Sequence, residues 1–137
     1  FVEEHIEAVK IANDLGIAVD AFTMIYPWED EQDLADTTEM IELIAQNPVN
    51  GIDEKGRTMK NHVDSTIMTP FQGTQFFDMI QLGELPGVKM IPEIDPGNLY
   101  YKGNHAGSGW PYLETQLPRE QYEEAQKFRN SLRPKYR

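Results

Sequence analysis

The chain has 137 residues, of which 39% are hydrophobic, a net charge of −11 and no cysteine. That length suffices for one modest core, and the missing cysteines exclude a disulfide framework, a thiolate zinc site and a cysteine-ligated iron-sulfur cluster within these residues. The acidic balance argues against nucleic acid, whose phosphates need a basic footprint, and no run of about eighteen apolar residues offers a membrane span, so a soluble, cytoplasmic protein is expected.

In chain order, Val2, Ile6, Val9, Ile11, Ala12 and Leu15 recur at spacings of mostly three and four, with Glu3, Glu4, Glu7 and Lys10 between them. The spacing predicts an amphipathic helix over Phe1 to Leu15, closed by Gly16. The period is already running at Phe1, the pattern expected of a fragment, and no leader pattern is present. Ile17 to Ile25 is short, rich in β-branched and aromatic residues and apolar on both alternations, which predicts a strand covered on both faces. Tyr26-Pro27-Trp28 ends it. Glu29, Asp30, Glu31 and Asp33 then crowd the start of a second helical pattern carried by Leu34, Met40, Ile41, Leu43, Ile44 and Ala45.

Residues Asn47 to His62 are polar, contain Pro48, Gly51 and Gly56, and follow neither period, so they read as a loop. Val63 to Thr69 is a second strand, stopped at Pro70, and Thr74 to Leu82 a short helix ended by Gly83. Helices alternating with strands predict parallel pairing through right-handed crossovers. Two strands cannot close a sheet, so an α/β barrel or open sheet would need more. Leu85 to Leu117 is irregular, and Pro118 opens a last helix to about Leu132. The reading divides the chain into β/α units over 1–83 and an irregular extension with a terminal helix over 84–137.

Parallel α/β folds place working residues after the C-terminal ends of strands, which singles out Tyr26 to Asp30 and Thr69 to Thr74. Glu29 and Asp30 read either as helix caps or as site carboxylates, and Thr69 to Thr74 either as a turn with positive φ at Gly73 or as a ligand-facing loop. His62 and Asp64 share one strand face and His105 lies in a glycine-bearing stretch, but no third ligand lies near in sequence, so no metal site is expected. Gly107-Ser108-Gly109 lacks the Lys-Ser/Thr and the preceding strand of a phosphate loop. Tyr100, Tyr101, Trp110 and Tyr112 fit a satellite core or a ligand cage.

Two ordered motifs carry a resemblance. Leu15-Gly16-Ile17 leads into Phe22-Thr23-Met24-Ile25-Tyr26-Pro27-Trp28-Glu29-Asp30, and one helix later come Thr69-Pro70-Phe71-Gln72-Gly73-Thr74, a short helix and Gly83. This order resembles the C-terminal part of the catalytic domain of radical S-adenosylmethionine enzymes, most similar to the branch that also binds cobalamin. There the first motif is roughly Phe-x-x-Gly-x-Pro-Gly-Glu-Thr and the second Thr-Pro-Tyr-Pro-Gly-Thr. Tyr26 and Trp28 stand where the family has glycines, and Gln72 replaces the second proline.

The resemblance implies the C-terminal portion of a partial (β/α)6 TIM-like barrel, with this chain supplying the fifth and sixth strands. It implies a parent enzyme using S-adenosylmethionine, a 4Fe-4S cluster and cobalamin, in which S-adenosylmethionine is cleaved to a 5'-deoxyadenosyl radical, followed by methyl transfer, cyclisation or rearrangement of an organic substrate. The cluster cysteines would lie upstream of Phe1, making the rest of the barrel the implied partner and leaving this chain alone inactive and without a cofactor of its own. Residue by residue, Met24 matches the strand position against adenine and Glu29 the acidic position of the same motif. Tyr26, Thr69, Pro70 and Phe71 stand at the strand mouths, facing cofactor or substrate. The other reading is a non-catalytic acidic interaction module derived from such a domain.

Overall fold

The computed structural model describes residues 2–71, 73–91 and 113–135. Four helices are described, α1 (Val2–Asp14), α2 (Glu31–Gln46), α3 (Gln75–Gln81) and α4 (Arg119–Ser131), with strands β1 (Asp20–Ile25), β2 (His62–Ile67), β3 (Lys89–Met90) and β4 (Leu113–Glu114). β1 and β2 form a parallel two-stranded sheet, and β3 pairs antiparallel with β4. The fold is therefore mixed α/β. The tyrosine-bearing stretch with Tyr100, Tyr101, His105, Gly107-Ser108-Gly109, Trp110 and Tyr112 lies outside the described residues, as does Gln72.

The ends of the helices follow local chemistry. α1 closes with Gly16 at φ +81°, where the Gly16 N–H donates to Asn13 and the Ile17 N–H to Ala12, a Schellman closure that places glycine in the left-handed region. A Cβ at Gly16 would also stand 2.9 Å from the Asn50 carbonyl oxygen, so the position needs glycine twice over. α2 opens with a reciprocal pair in which the Asp33 N–H donates to the Asp30 carboxylate at 2.9 Å and the Asp30 N–H to the Asp33 carboxylate at 3.1 Å. Asp30 is thus the N-cap of α2. Thr74 caps α3, accepting from the Phe77 N–H.

Contacts group the chain into two units, one of residues 1–23, 35–65 and 127–137, the other of 24–34 and 66–126. In the first, Val9, Ile41, Ile44 and Val63 form the core, flanked by Ile6, Val19, Ala21, Met40, Ala45 and Leu132. A buried amide network accompanies it. Asn13 and Asn61 bond reciprocally at 2.8 Å, Asn61 also donates to the Ile44 carbonyl and accepts from the Val19 N–H, and Asn47 donates to Asn13. The polar stretch before β2 is ordered by this network and by a small hairpin bridged at Ile52 and Thr58, whose Asp53 binds Arg57. Hydrogen bonds from the backbone and side chain of Arg57 hold the Asp53 carboxyl below its usual pKa.

At the outer edge of β2, Asn130 of α4 accepts from the Ser65 N–H at 2.8 Å and donates to the Ser65 carbonyl at 3.0 Å. The side-chain amide takes the place a third strand would fill. Arg129 is fully buried and donates through Nε to the Thr38 hydroxyl, and Arg133 pairs with Asp64.

In the second unit, Ile25, Leu34, Ile67, Ile80, Val88, Leu113 and Tyr122 form the core.

β1 departs from a strand covered on both faces. Ala21, Thr23 and Ile25 face inward, whereas Asp20, Phe22 and Met24 are exposed, Phe22 at 72% and Met24 at 44%. On the same face, β2 presents His62, Asp64 and Thr66, and His62 stands 3.4 Å from Asp20. The composition of the strand suits two covered faces, and only one cover is present among the described residues.

Candidate functional site

The second unit holds a cavity of about 570 Å³ at the C-terminal ends of β1 and β2. Met24 and Tyr26 reach it from the end of β1. Thr66 to Phe71 line it along the end of β2 and the turn after it, Thr74 and Phe76 from the start of α3, and Gln126 from α4. The strand ends converge because parallel strands in register finish at one edge: the His62 N–H donates to Val19 and the Met68 N–H to Ile25, the same offset at both ends. Pro70 is fully buried and Phe71 is exposed, so the turn is anchored at one residue and presents the next.

The aromatic residues organise the rim. Tyr26 stacks on Trp28 with ring centroids 4.8 Å apart, and Phe76 approaches Trp28 at 5.3 Å and Tyr26 at 6.3 Å. Such offset contacts add to simple area burial and fix the ring planes. Behind them Tyr122, fully buried, ties down the loop after β1. Its hydroxyl donates to the Glu29 carbonyl at 2.7 Å, with that of Pro27 at 3.1 Å, and accepts from the Leu117 N–H at 3.1 Å. Burial pushes the Tyr122 pKa up to about 12; the Leu117 N–H opposes that rise, and the carboxylates of Glu29, Asp30 and Asp33 add to it. Tyr122 therefore stays a neutral hydrogen-bonding post.

Of the residues singled out in the sequence, Met24, Tyr26, Thr69, Pro70 and Phe71 line this one cavity. Glu29 does not. Its main-chain carbonyl takes the Tyr122 hydrogen bond, and one of its carboxylate oxygens is buried. Sequence reasoning passed over Thr66, Phe76 and Gln126. Phe76 carried a signal, since it is out of phase with the buried pair Phe77 and Ile80 on α3 and so is a large apolar residue on the outward side. Gln126 carried none, because only the return of α4 brings it to the cavity.

The lining joins two thioethers, three aromatic rings and three threonine hydroxyls, and it holds no carboxylate, imidazole, amine or guanidinium. Such a surface holds and orients an apolar or planar group without proton transfer. Among the described residues no three histidine, aspartate or glutamate side chains gather as a metal site would require. Comparison with protein-family models, with curated proteins and with solved structures found no match.

Proposed function

We propose that this chain is the C-terminal portion of the barrel of a cytoplasmic radical S-adenosylmethionine enzyme, and that the cavity forms one apolar wall of the site for S-adenosylmethionine and the organic substrate. The observation that carries the reading is the convergence of Met24 and Tyr26 with Thr69, Pro70 and Phe71 on one cavity, since these come from the two motifs that resemble the family's. The uncovered face of β1 supports it as well. A strand with exposed Phe22 and Met24, and with β2 as its one strand neighbour among the described residues, has the character of an inner strand of a larger sheet.

The iron-sulfur cluster does not fit these residues, for there is no thiolate in the chain. Its ligands belong to the upstream segment of the barrel, and the motif order favours the branch that also binds cobalamin. S-adenosylmethionine fits the cavity chemically, with Met24 and the rings of Tyr26 and Phe71 for a planar base and the threonine hydroxyls for polar substituents. When bound in the whole enzyme it supplies the radical chemistry. The residues of this chain bind, orient and exclude water, which protects a reactive species from side reactions.

The test uses the whole protein, this chain with the Cys-x3-Cys-x2-Cys segment expected before Phe1. Met24→Asp sets a desolvated charge against the base and weakens S-adenosylmethionine binding by a few kcal/mol. Glu54→Gln, on the exposed hairpin, leaves binding unchanged. Equal binding by the wild type and a folded Met24→Asp protein, or an upstream reading frame without the cysteine motif, overturns the proposal.

A further inference from the structure

The first unit carries a groove of about 470 Å³ between α1 and α2. Its floor is apolar. Val2 and Ile6, four apart on α1, and Met40 and Leu43, three apart on α2, line it, and Leu43 is 48% exposed. Residues three or four apart are neighbours on a helix surface, so the carboxylates stand beside the apolar side chains. Glu3 and Glu7 stand along α1 and Asp36 and Glu39 along α2, with Lys10 the single cation among the lining residues. Ile11, exposed on α1, lies on an adjacent face of the helix in a separate depression with Glu4 and Ala8.

Four apolar side chains interleaved with four carboxylates and one lysine select one class of occupant. The floor matches the apolar stripe of an amphipathic helix, which places side chains at the same three- and four-residue spacing. The rim decides the charge of its flanks, because carboxylates repel acidic segments, phosphates and anionic lipid while attracting lysine and arginine. Residues 1–54 hold no lysine or arginine besides Lys10, so the surrounding field reinforces the rim.

We infer that the α1–α2 groove docks a basic amphipathic helix of a partner protein. Apolar side chains of the partner occupy the floor over Ile6, Met40 and Leu43, and its flanking lysines or arginines lie against Glu3, Glu7, Asp36 and Glu39. None of these residues lines the cavity at the strand ends.

Fluorescence anisotropy with three synthetic peptides tests it against the full chain: a leucine-lysine peptide with helical apolar periodicity, a scrambled peptide of identical composition, and a leucine-glutamate counterpart. The periodic lysine peptide binds at least about tenfold more tightly than the other two, as expected when both the floor and the rim contribute. Glu7→Lys combined with Glu39→Lys weakens it by about tenfold, and Leu43→Ser by several-fold, all three positions being exposed. Amide resonance shifts fall on α1 and α2. Equal binding of the scrambled peptide would mean that net charge alone acts, and would overturn the inference. So would binding indifferent to the charge-reversed pair, or a dimer of the chain whose interface maps to these helices.

Discussion

Tyr122 shows how one buried side chain positions a site it does not enter. Its hydroxyl joins the loop after β1 to Leu117, and it is fully buried. Tyr122→Phe keeps the ring and removes the hydroxyl, leaving the Leu117 N–H and the Glu29 carbonyl without that partner, at a cost of about 1–3 kcal/mol measured by urea denaturation. The same group sets an alkaline limit. Its pKa is near 10 when unfolded and about 12 when folded, so the folded chain holds the phenolic proton more tightly. Its contribution to stability is complete below about pH 10 and lost as pH rises through about 12. Stability of the wild type should therefore fall in that window by roughly 2 kcal/mol more than that of Tyr122→Phe. Identical alkaline profiles would show that Tyr122 ionises as an exposed phenol.

The elements of the first unit are tied together by amides as well as by apolar packing. Asn61 is 1% exposed and makes five hydrogen bonds, to Asn13, Ile44, Asn47 and Val19, joining the end of α1, the end of α2 and the approach to the two strands. Asn61→Ala leaves several buried partners unsatisfied at once, and the expected loss is on the order of 3 kcal/mol in thermal or urea unfolding. Asn50→Ala, at an exposed position whose side chain makes one long contact with the Asp14 carbonyl, should cost well under half of that. The helices themselves were legible in sequence because their signals are local: three- and four-residue spacing, Gly16 after α1, and acidic side chains at the start of α2. The amide network was not, since Asn13 and Asn61 are 48 positions apart and nothing in a polar stretch marks which asparagine turns inward. Asn130 at the edge of β2 is of the same kind.

For the molecule as a whole, the uncovered face of β1 is the feature with the largest consequence. Exposed large apolar residues on a strand with one strand neighbour among the described residues invite pairing with another chain. The isolated chain should therefore self-associate with rising concentration in sedimentation experiments, and Phe22→Lys should return it toward the 15.7 kDa of one copy. A monomer at all concentrations would mean that the exposed face is tolerated as it stands and would remove one support for the larger barrel.

By itself the sequence determined the mixed α/β order of the chain, the parallel relation of β1 and β2, and the acidic charge, because period, capping and crossover length are properties of neighbouring residues. It also marked Tyr26 to Asp30 and Thr69 to Thr74 as the loops after the strands. The tertiary structure was needed to show that Met24, Tyr26, Thr69, Pro70 and Phe71 share a cavity with Phe76 and Gln126, and that Glu29 does not line it, its main-chain carbonyl accepting from Tyr122 instead. It alone showed that Asp20, Phe22 and Met24 on one face of β1 have no cover among the described residues, although the strand's composition suits two covered faces. The reason is physical: a strand's composition records how much apolar surface it offers, whereas its cover depends on elements distant in sequence arriving at that face.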